Sequence, residues 1–178
     1  MKVATAKEQA LLDNLCGKSS SVSGIGLNGN CYLGVYKQVS SGTAGAIEFA
    51  SGVYGAEVSG NNYARVKIDT LMNRTYKSHA LSEATATPHD DRIGNTEDIN
   101  YNAAYDPSDP TATTGADWGT IVGFGLFTAA SGGSPYAYGA LEKISGSYPS
   151  VATHNTLHFV KGFFELYLDE ASASASVS

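Results

Sequence analysis

His154 and His158 are the pair in this chain whose type and spacing come nearest to chemistry. On a helix, residues at i and i+4 face the same way and could share a metal ion. The segment from His154 to Val160 reads instead as a strand, with Leu157 and Phe159 on one face. That geometry puts the two imidazoles on one side about 13 Å apart, too far for a common ion. A second candidate is the acid-rich patch His89-Asp90-Asp91 followed by Glu97-Asp98. Carboxylates at that density can gather Ca²⁺, but the EF-hand spacing is absent and Arg92 sits among the acids, so a solvated loop is expected. Glycoside hydrolysis needs two carboxylates held across a cleft, and Glu57, Glu142 and Glu165 lie in strands or connectors with nothing to pair them.

Gly24-Ile25-Gly26-Leu27-Asn28-Gly29 matches the dinucleotide fingerprint letter for letter. The fingerprint works because its glycines follow a strand and open a helix whose N-terminus faces the pyrophosphate. Here a serine tract precedes the glycines and a strand-like run follows, so the stretch is read as a turn. The Ser, His and Asp residues show no nucleophile elbow. Cys16 and Cys31 match no zinc or CxxC pattern; they are read as reduced thiols, with a disulfide closing the short loop as the alternative. Asn73-Arg74-Thr75 fits a glycosylation sequon, but the N-terminus has no apolar h-region and no signal peptide is expected. No catalytic residue, metal or cofactor is predicted.

The elements that would position any site are strands and turns. The chain has 178 residues, with 20 Gly, 11 Tyr and a formal net charge of −6, enough for one domain with its own core. Phosphate neutralisation needs clustered Lys and Arg, and the chain has no basic run, so nucleic acid is not an expected partner. The apolar runs are too short for a spanning helix, so no membrane partner is expected either.

The expected fold is mainly β: a single-domain antiparallel β-sandwich with a short N-terminal α-helix. The helix falls in residues 1–18, where Thr5-Ala6-Lys7-Glu8 fits a capping box and Leu11, Leu12 and Leu15 form an apolar stripe. That stripe must dock, on the chain's own core or on a partner. The sandwich domain spans 19–170, with Cys31 to Tyr36 as its first strand. Tyr63, Arg65 and Lys67 are expected to face away from Ala64, Val66 and Ile68. A hairpin through Asp117 to Ala140 forms the centre, turning at Ser131-Gly132-Gly133-Ser134. Trp118, Thr120, Val122, Phe124 and Leu126 share one face of its first arm by period two, and Trp118, Phe124 and Leu126 are read as core. The other face carries Gly123 and Gly125, which predicts a second backbone packed close against it. Residues 69–114 form a long, weakly patterned insertion of the kind that carries function or partner contacts. The Ser/Ala run 171–178 is a low-complexity tail.

Two stretches together resemble a known family. Glu57-Val58-Ser59-Gly60-Asn61-Asn62-Tyr63-Ala64-Arg65 is similar to the "EVSGGSYAR" signature of small β-rich tailed-bacteriophage virion proteins. Ala116 to Phe127 with Ala129 to Gly133 resembles the same family's "ADWGTVTHFGIFDAATGG", and Tyr32-Leu33-Gly34-Val35-Tyr36 sits where that family has a "YLALY" strand. The 69–114 segment is longer than the family pattern and the Ser/Ala tail is additional. The resemblance implies a structural component of the virion, made in the bacterial host cytoplasm, and implies no catalytic residues.

A small single domain without fibre-like repeats points first to a capsid decoration or cement protein on the head surface. The alternative is a tail fibre, tail-tip or baseplate-associated component whose tyrosine-rich loops touch a host glycan. Expected partners are other phage structural proteins, the major capsid protein or tail proteins, and further copies of the chain, as a trimer by analogy with decoration proteins at capsid axes. The expected interface residues are Leu11, Leu12 and Leu15 on the helix, and Tyr101 and Tyr105 in the insertion.

Overall fold

The computed structural model describes residues 30–73 and 92–167. Within them the chain is mainly β and every strand pair is antiparallel. Two long strands dominate, β1 (Tyr32–Val39) and β8 (Gly119–Phe127). They pair from Tyr32 opposite Phe127 to Lys37 opposite Ile121. Around them lie β2 (Ile47–Ala50), β3 (Val53–Glu57), β4 (Val66–Lys67), β9 (Ala137–Ala140) and β10 (Ser150–Val151). These seven strands form one sheet with β10-β8-β1-β3-β2 in order, β4 continuing the β3 side and β9 continuing the β10 side. Two small sheets complete the fold. One joins β7 (Ile99–Asn100) to β11 (His158–Phe159); the other has β6 (Arg92–Asn95) between β5 (Met72–Asn73) and β12 (Glu165–Tyr167).

The expected hairpin through the centre of the sheet is present, with Gly132 and Gly133 both at positive φ in its turn. Its first arm departs from strict alternation. The β1–β8 register slips between Tyr36 and Lys37, skipping Val122. An extra residue on one strand re-aims its neighbours: Ile121 joins Phe124 and Leu126 in the main core, while Val122 packs on the opposite face beside Gly55.

That opposite face is filled by aromatic rings, not by the second backbone expected from its glycines. A Cβ at Gly123 would run into the Phe49 ring. One at Gly125 would meet Tyr36 Cε2 at 2.9 Å, and one at Gly34 would meet Phe127 Cε2 at 2.6 Å. Phe49 comes from β2, near one edge of the sheet, yet its ring also lies 5.9 Å from that of Tyr138 on β9, near the other. The bare strand centres therefore let large rings pack directly against the sheet, edge to face with one another, which buries aromatic area that a Cβ would exclude.

The main core draws on all three sheets. Leu33, Val35, Ile121 and Leu126 come from the large one, Ile99 from the β7–β11 pair, and Ile93 from β6. Residues from the weakly patterned 69–114 segment thus enter the core, with Met72, Ile93 and Ile99 fully buried. Asn95, also fully buried, docks the last strands. Its Nδ2 donates to Glu97 O (2.8 Å) and Val160 O (3.0 Å), and its Oδ1 accepts from Phe164 N (2.9 Å) and Gly162 N (3.1 Å).

The predicted helix and its Leu11, Leu12 and Leu15, the Gly24–Gly29 turn, Cys16, the His89-Asp90-Asp91 cluster and the 171–178 tail lie outside the described residues. Cys31 is a free, buried thiol with its Sγ 3.0 Å from Tyr136 OH. Residues 154–157 are not strand: His154 has φ +66 and only His158–Phe159 pair, so the two histidines do not share one strand face.

Candidate functional site

The stretch Glu57–Arg65 leaves β3, turns, and re-enters the sheet, and it concentrates polar contacts more densely than any other part of the described chain. The turn is left-handed over three successive residues, Gly60, Asn61 and Asn62 (φ +70, +49 and +62). Asparagine tolerates this region because its short polar side chain finds hydrogen bonds locally. Here the partners come from two distant segments. Asn62 Nδ2 donates to Ala103 O (3.0 Å), while Asn61 O accepts from Trp118 Nε1 (3.0 Å) and Tyr105 N (3.3 Å).

Either side of this turn, Glu57 and Arg65 close on each other. Arg65 Nε and Nη2 donate to Glu57 Oε1 (2.6 Å) and Oε2 (2.7 Å) in the two-pronged geometry that suits a planar guanidinium. Arg65 Nη1 donates to Ala129 O (2.9 Å) and Gly132 O (2.8 Å), which ties the tip of the β8–β9 hairpin to the same residue. The guanidinium carbon lies 3.3 Å from the centroid of the Phe127 ring. Tyr63 OH donates to Glu57 Oε1 (3.1 Å) and accepts from Val35 N (3.1 Å).

Burial shapes the acid–base behaviour of this cluster. Burial first, then the Glu57 charge, pushes the Tyr63 phenol well above its ordinary value; burial likewise raises Tyr36 to about 12. Burial alone would lower Arg65, but its hydrogen bonds to Glu57 and the Glu57 charge outweigh that and leave it raised. At neutral pH these groups hold their protons, and the cluster works as a fixed clamp between β3, β4 and the hairpin tip. Arg65 differs from Ala64 as the alternation predicts, but with Arg65 on the buried side and Ala64 exposed. A charged residue in an alternating run reads as the solvent side, and the sole hint otherwise was an acid eight positions earlier.

Tyr101 and Tyr105 are placed differently from each other. Tyr101 is buried, its OH donating to Leu33 O (2.9 Å) and its ring stacked 6.2 Å from Tyr63 and edge-on to Trp118. Tyr105 is half-buried beside Asn61. Next to them, the segment 113–117 and β10 with its continuation to Thr153 line a shallow, open cleft of about 320 Å³.

A family model described as podophage GP4 fiber I protein gp80 matches residues 2–153. The chain belongs to this family. No curated protein and no solved structure matches it. For this member of the gp80 fibre family, the matched span takes in β1 to β10, the Glu57–Arg65 clamp and the cleft, while β11 and β12 lie beyond it. Membership makes the chain a phage structural protein of the virion, associating with other phage structural proteins. Among the described residues, no group of three or more His, Cys, Asp or Glu is arranged to hold a metal ion.

Proposed function

We propose that this chain is a non-enzymatic structural component of a podophage fibre, carried on the tail and not on the capsid surface. The observation that carries this reading is the fibre-family match across residues 2–153. It weighs against the capsid-decoration expectation, which rested on small size and the absence of repeats. The architecture suits the role. Aromatic rings brace the large sheet on one face, and Leu33, Ile99 and Ile93 of three different sheets meet in one core on the other. That shared core supports reading the small sheets as the second layer of a β-sandwich. Glu57, the most connected carboxylate among the described residues, is committed to Arg65 and Tyr63, which supports a structural role over an acid–base one.

The chain self-associates within the fibre in this reading, with a trimer as the first arrangement to test by light scattering. Cryo-electron reconstruction of particles made with and without the chain tests the placement. Loss of density from appendages at the tail is expected; loss from the capsid shell would return the decoration reading.

A further inference from the structure

We propose that the cleft between residues 113–117 and 150–153 binds an uncharged sugar through adjacent hydroxyl groups. Its biological meaning, attachment to a cell-surface polysaccharide, rests on the fibre reading above.

The walls of the cleft alternate cleanly. Ala116, Trp118 and Val151 point into the core and are at most 2% exposed, while Asp117, Ser150 and Ala152 point out. Trp118 N donates to Val151 O (2.9 Å) and Ile121 N to Pro149 O (2.8 Å), so both walls are fixed to one another by main-chain bonds. Asp117 O accepts from Asn61 Nδ2 (3.4 Å), which ties this wall to the left-handed turn. Thr153 Oγ1 accepts from Ala116 N (3.3 Å), leaving its own hydrogen free to donate outward. A site held in shape before binding loses less freedom when a ligand arrives.

The lining offers one chemistry consistently. Thr113, Thr114, Ser150 and Thr153 each supply a hydroxyl that donates and accepts. The Asp117 carboxylate accepts only, and its two oxygens match two neighbouring hydroxyls of a pyranose ring. The Ala152 methyl gives the ring's C–H face an apolar contact. At about 320 Å³ the cleft is at the lower end of ligand-site volumes, the size for one or two sugar units. Charge narrows the class. Asp117 and a net charge of −6 disfavour an acidic sugar, and a lone carboxylate with hydroxyls is a poor cage for a divalent cation. So open a site binds weakly, with Kd of about 1–10 mM, and repetition along a fibre would raise the effective affinity.

The test is an amide-resolved NMR titration of the full chain with glucose, galactose, mannose and N-acetylglucosamine, and with glucuronate as the acidic comparison. The expected result is saturable shifts confined to residues 113–117 and 150–153 for at least one uncharged sugar, weakened about tenfold or more by Asp117→Ala. Ser150→Ala serves if Asp117→Ala does not fold. No saturable shift with any uncharged sugar, shifts mapping elsewhere, undiminished binding by the variants, or tighter binding of glucuronate would each overturn the proposal. Failure here with density still lost from the tail in the particle reconstruction would remove the sugar site and leave the fibre reading standing.

Discussion

Replacing Arg65 with methionine should destabilise the protein by about 4 kcal/mol while keeping most of the aliphatic volume of the side chain. Three losses combine. The hydrogen bonds to Ala129 O and Gly132 O vanish, at about 1 kcal/mol each. The stacking on Phe127 goes, at about 1 kcal/mol. The third is the Glu57 ion pair. Removing one member of a fully buried pair costs about 3–5 kcal/mol. Because 25% of the Glu57 side chain is exposed, water recovers part of the solvation and the expected cost is about 1–2 kcal/mol. For a domain of this size each kcal/mol lowers Tm by about 2–4 °C, so a fall of about 8–16 °C is expected in a calorimetric melt. Arg65→Lys should recover little, because an ammonium cannot span both Glu57 oxygens and both carbonyls at once. Pairing Arg65→Met with Glu57→Gln should cost about 1–2 kcal/mol less than the two single effects together. A Tm for Arg65→Met within about 2 °C of the parent protein would refute the clamp as a stabilising element.

Other outcomes follow from the packing and from burial. Gly123→Ala should destabilise by about 1–3 kcal/mol through collision with Phe49, and by less in a Phe49→Ala background. Gly42→Ala, where an added Cβ meets nothing, should leave the chemical-denaturation midpoint unchanged. Asn95→Leu should cost about 3 kcal/mol, because the Phe164 amide and the Val160 carbonyl lose buried partners; a denaturation curve matching the parent's would remove Asn95 as the anchor of the last strands. Burial raises the Cys31 thiol from 9.0 to about 11. The folded state therefore holds that proton more tightly than the unfolded state, and stability should fall as pH rises from about 9 to about 11. Cys31→Ala should flatten that part of a Tm-against-pH profile; an unchanged slope would count against the assignment.

Much of the strand framework was legible because long strands announce themselves. Cys31 to Tyr36 and Asp117 to Ala140 carry period two and a glycine turn, and both stand in the fold as β1 and the β8–β9 hairpin. The segment from Asp69 to Thr114 was far less legible, because β5 and β7 have two residues each and two residues carry no period. Met72 and Ile99 are nonetheless fully buried. Gly123 signalled a close approach, but what approaches is the Phe49 ring from β2, a contact between residues far apart in sequence and invisible locally. The burial of Arg65 was not legible because charge normally marks the solvent face, and Val122 was misread because one skipped residue shifts the phase of a strand. The candidate cleft was missed altogether: Thr113, Ser150 and Thr153 are ordinary residues until β10 pairs with β8.

The pairing of β1 with β8 also sets a timetable for synthesis. Tyr32 finds its partner at Phe127 and Leu33 at Leu126, so the first long strand emerges from the ribosome well before the strand that completes it. At roughly 5–20 residues per second that interval lasts several seconds. During it, β1 has only β3 and β4 to pair with, and Leu33 and Val35 lack the part of their core that Ile121, Leu126 and the last strands supply. A nascent chain stopped before Gly119 would therefore be sticky and sensitive to proteases, and one extended past Ala140 would carry the completed centre of the large sheet. A folding order ruled by such distant pairing is slow by nature, and it leaves the open side of β1 unpaired until β8 has been made.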